Sequence, residues 1–361
     1  MSDEPRQAPV LVEFQRGGVD RIETRHRGAV AVVDRGGRLL SYAGDPGQAY
    51  ALRSTAKPFQ LLPLLLDGLH LGSSDAAPLT PADLAVMMSS HNGERMHTER
   101  IAALLSRFGL AQTALRCGVE PPALRADREE LLRSNRKATS LHCNCSGKHT
   151  NMLAVCDRHG WPLESYLDPD HPLQIRIRNI LATLTGLPNT ALPRSIDGCS
   201  LPTYWLSLEI LARLFAYIAE PGAAPPVEGR NIAAELTTLR TVGMQHPELI
   251  AGSGRLDTLL MQALDGHIFA KTGAAGLYAV ALPAGPGVPT ALGIAVKIED
   301  GDPKSRIRAS VIVEVLRQLG VAKREDTDLW NAFEEIASPA EQNYRGLKVG
   351  SYRPVFRLHR G

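Results

Sequence analysis

The chain is short of cysteine, of aromatic residues and of net charge. Five cysteines in 361 residues are too few for a disulfide framework, and an odd number cannot all pair within the chain, which points to a reducing, cytoplasmic setting. Aromatic positions make up 5%, and 40 Lys and Arg nearly cancel 38 Asp and Glu to leave a formal charge of +2. So small an excess provides no field to draw the chain to nucleic acid or to an anionic membrane, and a small molecule is the expected partner. The opening Met1-Ser2-Asp3-Glu4-Pro5-Arg6-Gln7 has acidic residues and no apolar run, so no secretory signal is read there. One uncharged stretch, 276–296, has the length to span a bilayer, but Pro283, Pro286 and Pro289 with Gly285, Gly287 and Gly293 interrupt it. Two buried strands, 277–282 and 291–298, joined by a Pro/Gly turn, are expected instead.

What is present is a 44% apolar content divided by 32 Gly and 25 Pro, a sizeable core with many turns. Residues 10–14 and 29–33 are strand-like, and Asp34-Arg35-Gly36-Gly37 reads as a hairpin turn. After Arg53 to Phe59 a Leu-rich run to Leu69 reads as a buried helix that Ser54 could cap, with Pro58 tolerable only near its start. Helical spacing recurs over 81–88, 97–108, 172–185 and 204–219, the Pro-rich 220–226 reads as a surface loop, strands return at 268–270, and 304–319 makes an amphipathic helix. This order predicts an α/β fold: an αβα sandwich whose antiparallel sheet combines N- and C-terminal strands, with a large helical insertion. We expect one catalytic unit over 1–361, with a sheet lobe from about 8–75 and 255–361 and a helical lobe from about 76–254.

Three short elements carry chemistry. In Ser54-Thr55-Ala56-Lys57 the hydroxyl and the amine are three residues apart, so a helix puts them on one face, near a terminus whose N–H groups favour the neutral lysine. Ser89-Ser90-His91-Asn92-Gly93-Glu94 ends an apolar helix, and Lys271-Thr272-Gly273 ends an apolar strand. Singly, each also fits a plainer role: an N-cap serine with a solvated lysine, a helix terminus, an exposed strand-end lysine. Together they follow the order S-x-x-K, S-x-N, K-T-G of the penicillin-recognising serine enzymes. A separate group, His142-Cys143-Asn144-Cys145-Ser146-Gly147-Lys148-His149 with Asp197-Gly198-Cys199, offers thiols and imidazoles that suit zinc. Its spacing matches no standard zinc pattern, and inert buried thiols beside two turns fit it equally. A phosphate loop is excluded, because His142 stands where Gly belongs and His149 where Ser or Thr belongs.

At these segments, from Arg53-Ser54-Thr55-Ala56-Lys57-Pro58-Phe59-Gln60 to Lys271-Thr272-Gly273, the chain resembles the bacterial asparaginase II family of the Rhizobium-type class, and the resemblance covers nearly the whole chain. It implies a fold like that of serine β-lactamases and glutaminases, a homodimer, and hydrolysis of L-asparagine to L-aspartate and ammonia. It further implies two serine–lysine pairs, Ser54 with Lys57 and Ser90 with Lys271, and a zinc ion held by Cys145, Lys148 and Cys199. Arg53, His91, Asn92, Thr272, Gly273 and Asp197 would line the substrate. Ser90 rather than Ser89 is matched because it directly precedes His91-Asn92. Ser54 is the expected nucleophile and Ser90 its rival. The competing readings are a glutaminase, a β-lactam or D-Ala-D-Ala acyl transferase, and a zinc-organised binding protein without turnover.

Overall fold

A strand buried on both faces needs a layer of structure against each, and this requirement organises the sheet. The computed structural model describes residues 8–19, 21–72, 77–285, 287–303, 305–321, 326–337 and 340–361. Residues 1–7, on which the reading of no export signal rests, lie outside them, as do Pro286 and Lys304, the expected start of the amphipathic helix. The chain divides into two units, Met1–Tyr50 with Leu206–Glu220 and Leu259–Gly361, and Ala51–Trp205 with Pro221–Thr258. The sequence reading had put 51–75 with the sheet and 206–220 with the helices; the fold assigns each to the other unit.

The first unit is mixed α/β around an antiparallel sheet. Its strands run in the spatial order Glu341–Gln342, Lys348–Pro354, Val10–Arg16, Arg21–Asp34, Leu292–Ile298, Leu277–Leu282 and Phe269–Thr272. N- and C-terminal segments therefore interleave, as expected. Arg21–Asp34 is shared between partners: its first half pairs with Val10–Arg16, its second with Leu292–Ile298 and Leu39–Ala43. The hairpin turn forms where Asp34, Gly36 and Gly37 predict it, with Gly37 N–H donating to Asp34 O at 2.9 Å and Gly37 at φ +82°. Leu277–Leu282 and Leu292–Ile298 occupy the uncharged stretch, and among the described residues no helix is long and apolar enough to cross a membrane. Helix Leu208–Ala219 packs on Leu292–Ile298, where a Cβ at Gly293 would collide with the Ala212 carbonyl. The sequence reading began this helix at residue 204. Tyr204 to Ser207 instead belong to strand Pro202–Ser207, whose aromatic and hydroxyl residues suit a pleated surface, and the Ser207 side chain caps the helix by accepting from Ile210 N–H.

The second unit is built on helix Ser146–His159, buried from Ser146 through Cys156. Against it pack Lys57–Leu66, Pro81–Met87, Arg95–Arg107 and Pro172–Thr185. The sequence reading had turns at the start of this helix; with every face buried, its residues show no apolar stripe to mark it. All ten residues of Lys57–Leu66 are buried, with Pro58 in the first turn as expected. Ser54 does not cap that helix. It sits in a preceding 3-10 turn, Arg53–Ala56, and Ala56 takes the capping position without a side-chain bond.

Candidate active site

Lys57 is the centre of the second unit's polar core. Only 1% exposed, it reaches away from its own helix and donates to Ser89 O at 2.5 Å, Ser90 Oγ at 2.8 Å and Asn144 O at 3.1 Å. The two carbonyls are pure acceptors and engage two amine hydrogens whatever the charge on Nζ. The third tetrahedral position faces Ser90 Oγ, where either an N–H can donate or a lone pair can accept the serine proton. This is the geometry of a proton exchanged between one lysine and one serine.

Ser89 and Ser90 now differ in a way the sequence could not reveal. Ser89 Oγ donates to Val86 O at 2.7 Å at the end of helix Pro81–Met87, while Ser90 Oγ meets the lysine. The turn around them fits tightly, since a Cβ on Gly147 would strike the Val86 carbonyl. Ser54 lies one turn before Lys57, half-buried. Beside it Arg53 is held at φ +49°, a left-handed conformation that costs a non-glycine residue about 1–3 kcal/mol. Arg53 N–H donates to Thr203 Oγ1 at 3.0 Å and its guanidinium pairs with Asp197 at 2.5 Å, which ties the serine turn to the Asp197-Gly198-Cys199 turn.

His91 and Asn92 face inward. Gly93 N–H donates to His91 Nδ1 at 3.0 Å, and His91 Nε2 lies 2.9 Å from Ser146 Oγ. Burial, and then the neighbouring His97 and Lys57, push the His91 imidazole well below its ordinary range, so it is neutral. Asn92 is engaged with a loop: its amide donates to Glu94 and to Ser253 O, and its oxygen accepts from Arg255 at 3.1 Å. Glu94, Asn144 and Ser146 stand in the quoted stretches without a role assigned to them, and Arg255 stands in none; Asn144 acts through its backbone carbonyl, which no motif marks.

The thiols converge as well. Lys148 Nζ lies 3.0 Å from Cys199 Sγ, and Cys145 Sγ donates to Asn144 Oδ1 at 2.9 Å. Hydrogen bonds from Cys143 and Cys199 hold the Cys145 thiol well below the usual thiol range against its burial, with Lys148 and Lys57 adding to the effect. Burial favours a neutral Lys148, but the Cys145 and Cys199 sulfurs outweigh it and raise the ammonium's pKa. All five cysteines are free. Among the described residues no three His, Cys, Asp or Glu side chains form a metal-binding group. The donor set is thus two soft thiols and one amine, and beside it the buried Nε2 of His149 has no hydrogen-bond partner among the described residues.

Lys271, Thr272 and Gly273 belong to the first unit. Lys271 is fully buried on Phe269–Thr272 opposite Ala279, with Nζ 3.4 Å from Thr272 O. The turn that follows is clamped by Arg308, which donates to Gly273 O at 2.8 Å and Leu277 O at 3.2 Å while paired with buried Asp302 at 3.0 Å.

A buried lysine that meets a serine hydroxyl is an arrangement able to pass a proton. The chain belongs to the L-asparaginase II family, whose sequence pattern matches residues 12–354, and it is accordingly an amidohydrolase. Two solved glutaminases are similar to it over much of its length. A Bacillus glutaminase in 4.3 M NaCl is 12% identical, with 82% of this chain and 92% of that one covered at a TM-score of 0.38. A Bacillus subtilis glutaminase in covalent complex with 5-oxo-L-norleucine is 13% identical, with 79% and 83% covered at a TM-score of 0.32. No curated protein matches the chain.

Proposed function

We propose that the chain hydrolyses L-asparagine to L-aspartate and ammonia by a serine–lysine mechanism. The observation that carries this reading is Lys57, whose Nζ is fixed by two carbonyls and directed at Ser90 Oγ in a chain of the L-asparaginase II family. Ser54 is the nucleophile. Its Oγ bonds to the side-chain carboxamide carbon as its proton passes to Ser90 Oγ and the Ser90 proton passes to Lys57 in its neutral form, giving a tetrahedral oxyanion. The C–N bond then breaks, and the proton passes from Lys57 through the Ser90 hydroxyl to the leaving nitrogen. Water adds to the resulting ester, and its cleavage releases aspartate and restores Ser54. From the motif order alone we assign Lys271 as the second lysine, Arg53, Asp197, Asn92, Thr272 and Gly273 to substrate binding, and His91 to the support of those residues.

A second reading makes Ser90 the nucleophile, because its oxygen is the one in contact with Lys57. Trapping the acyl-enzyme and mapping the modified peptide separates the two: an adduct on Ser54 supports the first, an adduct on Ser90 the second. One missing methylene is worth only about 1–3 kcal/mol of discrimination, so glutamine is the substrate to test beside asparagine.

Cys145 and Cys199, with Lys148 once deprotonated, would hold a zinc ion, and the soft thiols and the amine fit that metal. When bound, the ion supplies a fixed positive charge that orders the Asp197-Gly198-Cys199 turn. Elemental analysis tests this: Cys145→Ala or Cys199→Ala should lower zinc content, and unchanged content refutes the site. A homodimer in the cytoplasm completes the proposal, and light scattering of the purified protein checks the dimer.

A further inference from the structure

We infer that His91 is a positioning residue: with Ser146 it forms a brace between the two turns from which Lys57 is suspended. The inference rests on the serine–lysine reading above. Both ring nitrogens of His91 are engaged within the chain. Because Gly93 N–H donates to Nδ1 at 3.0 Å, the proton of the neutral ring sits on Nε2, which donates to Ser146 Oγ at 2.9 Å. Ser146 Oγ in turn donates to Leu141 O at 2.9 Å. The face of the ring is covered by His97, stacked at 4.8 Å and 13°, and His97 Nε2 donates to Glu248 O at 3.0 Å. His91 is 2% exposed and Ser146 0%, so water does not compete for these bonds.

The position of the brace gives it a role. Ser89 O and Ser90 Oγ directly precede His91, and Asn144 O lies two residues before Ser146; these are the three acceptors of Lys57. The His91–Ser146 bond and the Lys57 bonds are two rungs between the same two turns. A proton passes between Lys57 and Ser90 only while the lysine's other hydrogens stay on both carbonyls. If either turn drifts, Nζ turns away from Ser90 Oγ, and an ångström of misplacement is costly to a proton transfer. The brace therefore acts on the chemical step through Lys57, and no ring nitrogen of His91 is left for a substrate.

The test is ammonia release by His91→Ala, Ser146→Ala, the double variant and His91→Gln, together with backbone hydrogen exchange over 89–93 and 143–146. The expected result is a fall in kcat of about 10- to 100-fold in each alanine variant with KM within about twofold. The double variant should fall no further, and His91→Gln, whose amide offers an acceptor and a donor, should recover part of the loss. Exchange should quicken over both segments in the alanine variants. Losses that multiply in the double variant, or that fall on KM, overturn the brace. A wild type that releases no ammonia from asparagine or glutamine overturns the amidohydrolase reading instead. The brace is then judged by exchange, and unchanged protection in the alanine variants overturns it.

Discussion

Lys57 shows how one side chain can define a site that its own helix does not contain. Its three acceptors come from two other turns, and two of them are main-chain oxygens. Lys57→Met keeps the buried stem and removes the amine. We predict that it lowers kcat for ammonia release by about 10²–10⁴-fold with folding retained by circular dichroism. The neighbouring serines make a sharper contrast. Ser90→Ala should lower kcat by about the same factor, whereas Ser89→Ala, whose hydroxyl only caps a helix carbonyl, should stay within about tenfold of wild type. Equal losses in both would contradict the assignment. Lys57 and Ser90 were named from the sequence, because side-chain chemistry leaves a motif, but in separate pairs, Ser54 with Lys57 and Ser90 with Lys271; the contact of Lys57 with Ser90 comes from the fold. Ser89 O and Asn144 O were not legible, since every residue has a carbonyl and only the fold says where it points. The left-handed Arg53 next to Ser54 was hidden for the same reason: nothing in an arginine codon announces a positive φ.

At the scale of elements, the site depends on close approach. Gly147 lets helix Ser146–His159 start against the Val86 carbonyl, and Gly293 lets Leu208–Ala219 lie on the sheet. Gly147→Ala and Gly293→Ala should each destabilise the fold by about 1–3 kcal/mol in urea unfolding. Gly222→Ala, where a Cβ meets open space, should be near neutral. Helix Pro81–Met87, which delivers Ser89 and Ser90, begins in a capping box of Thr80 and Asp83, with Arg100 paired to Asp83 at 2.7 Å. Burial alone would raise the Asp83 carboxyl, but hydrogen bonds from Thr80 and Arg100 hold it below the usual value. A depressed folded-state pKa contributes stability above the unfolded value of about 3.9, lost as pH falls through the folded one. The advantage of wild type over Asp83→Asn should therefore be full near pH 7 and shrink below about pH 4, and an advantage constant with pH would exclude this carboxylate as its source. The one-sided pattern of Pro172–Thr185 was readable from its spacing, and the strands Leu277–Leu282 and Leu292–Ile298, buried on both faces, from their apolar runs bounded by turns. Ser146–His159 was not, because burial on all sides erases the stripe, and Tyr204 to Ser207 continued the apolar run of the helix after it and so looked helical.

For the whole molecule, the sequence order of strands, helices and strands was enough to anticipate an antiparallel sheet shared by both ends of the chain, while the exchange of 51–75 and 206–220 between units depended on tertiary contacts. The near-zero net charge agrees with the zwitterionic substrate proposed, for which local charges such as Arg53 and Asp197 matter more than an overall field. The most direct test of the central claim is turnover measured side by side, as ammonia release from asparagine and glutamine and as ring opening of a β-lactam, for wild type and for Lys57→Met and Ser54→Ala. The account predicts turnover of asparagine above the other two, and its loss by at least about 10²-fold in both variants. Ammonia release that survives both substitutions, or a wild type that leaves asparagine untouched, would contradict it.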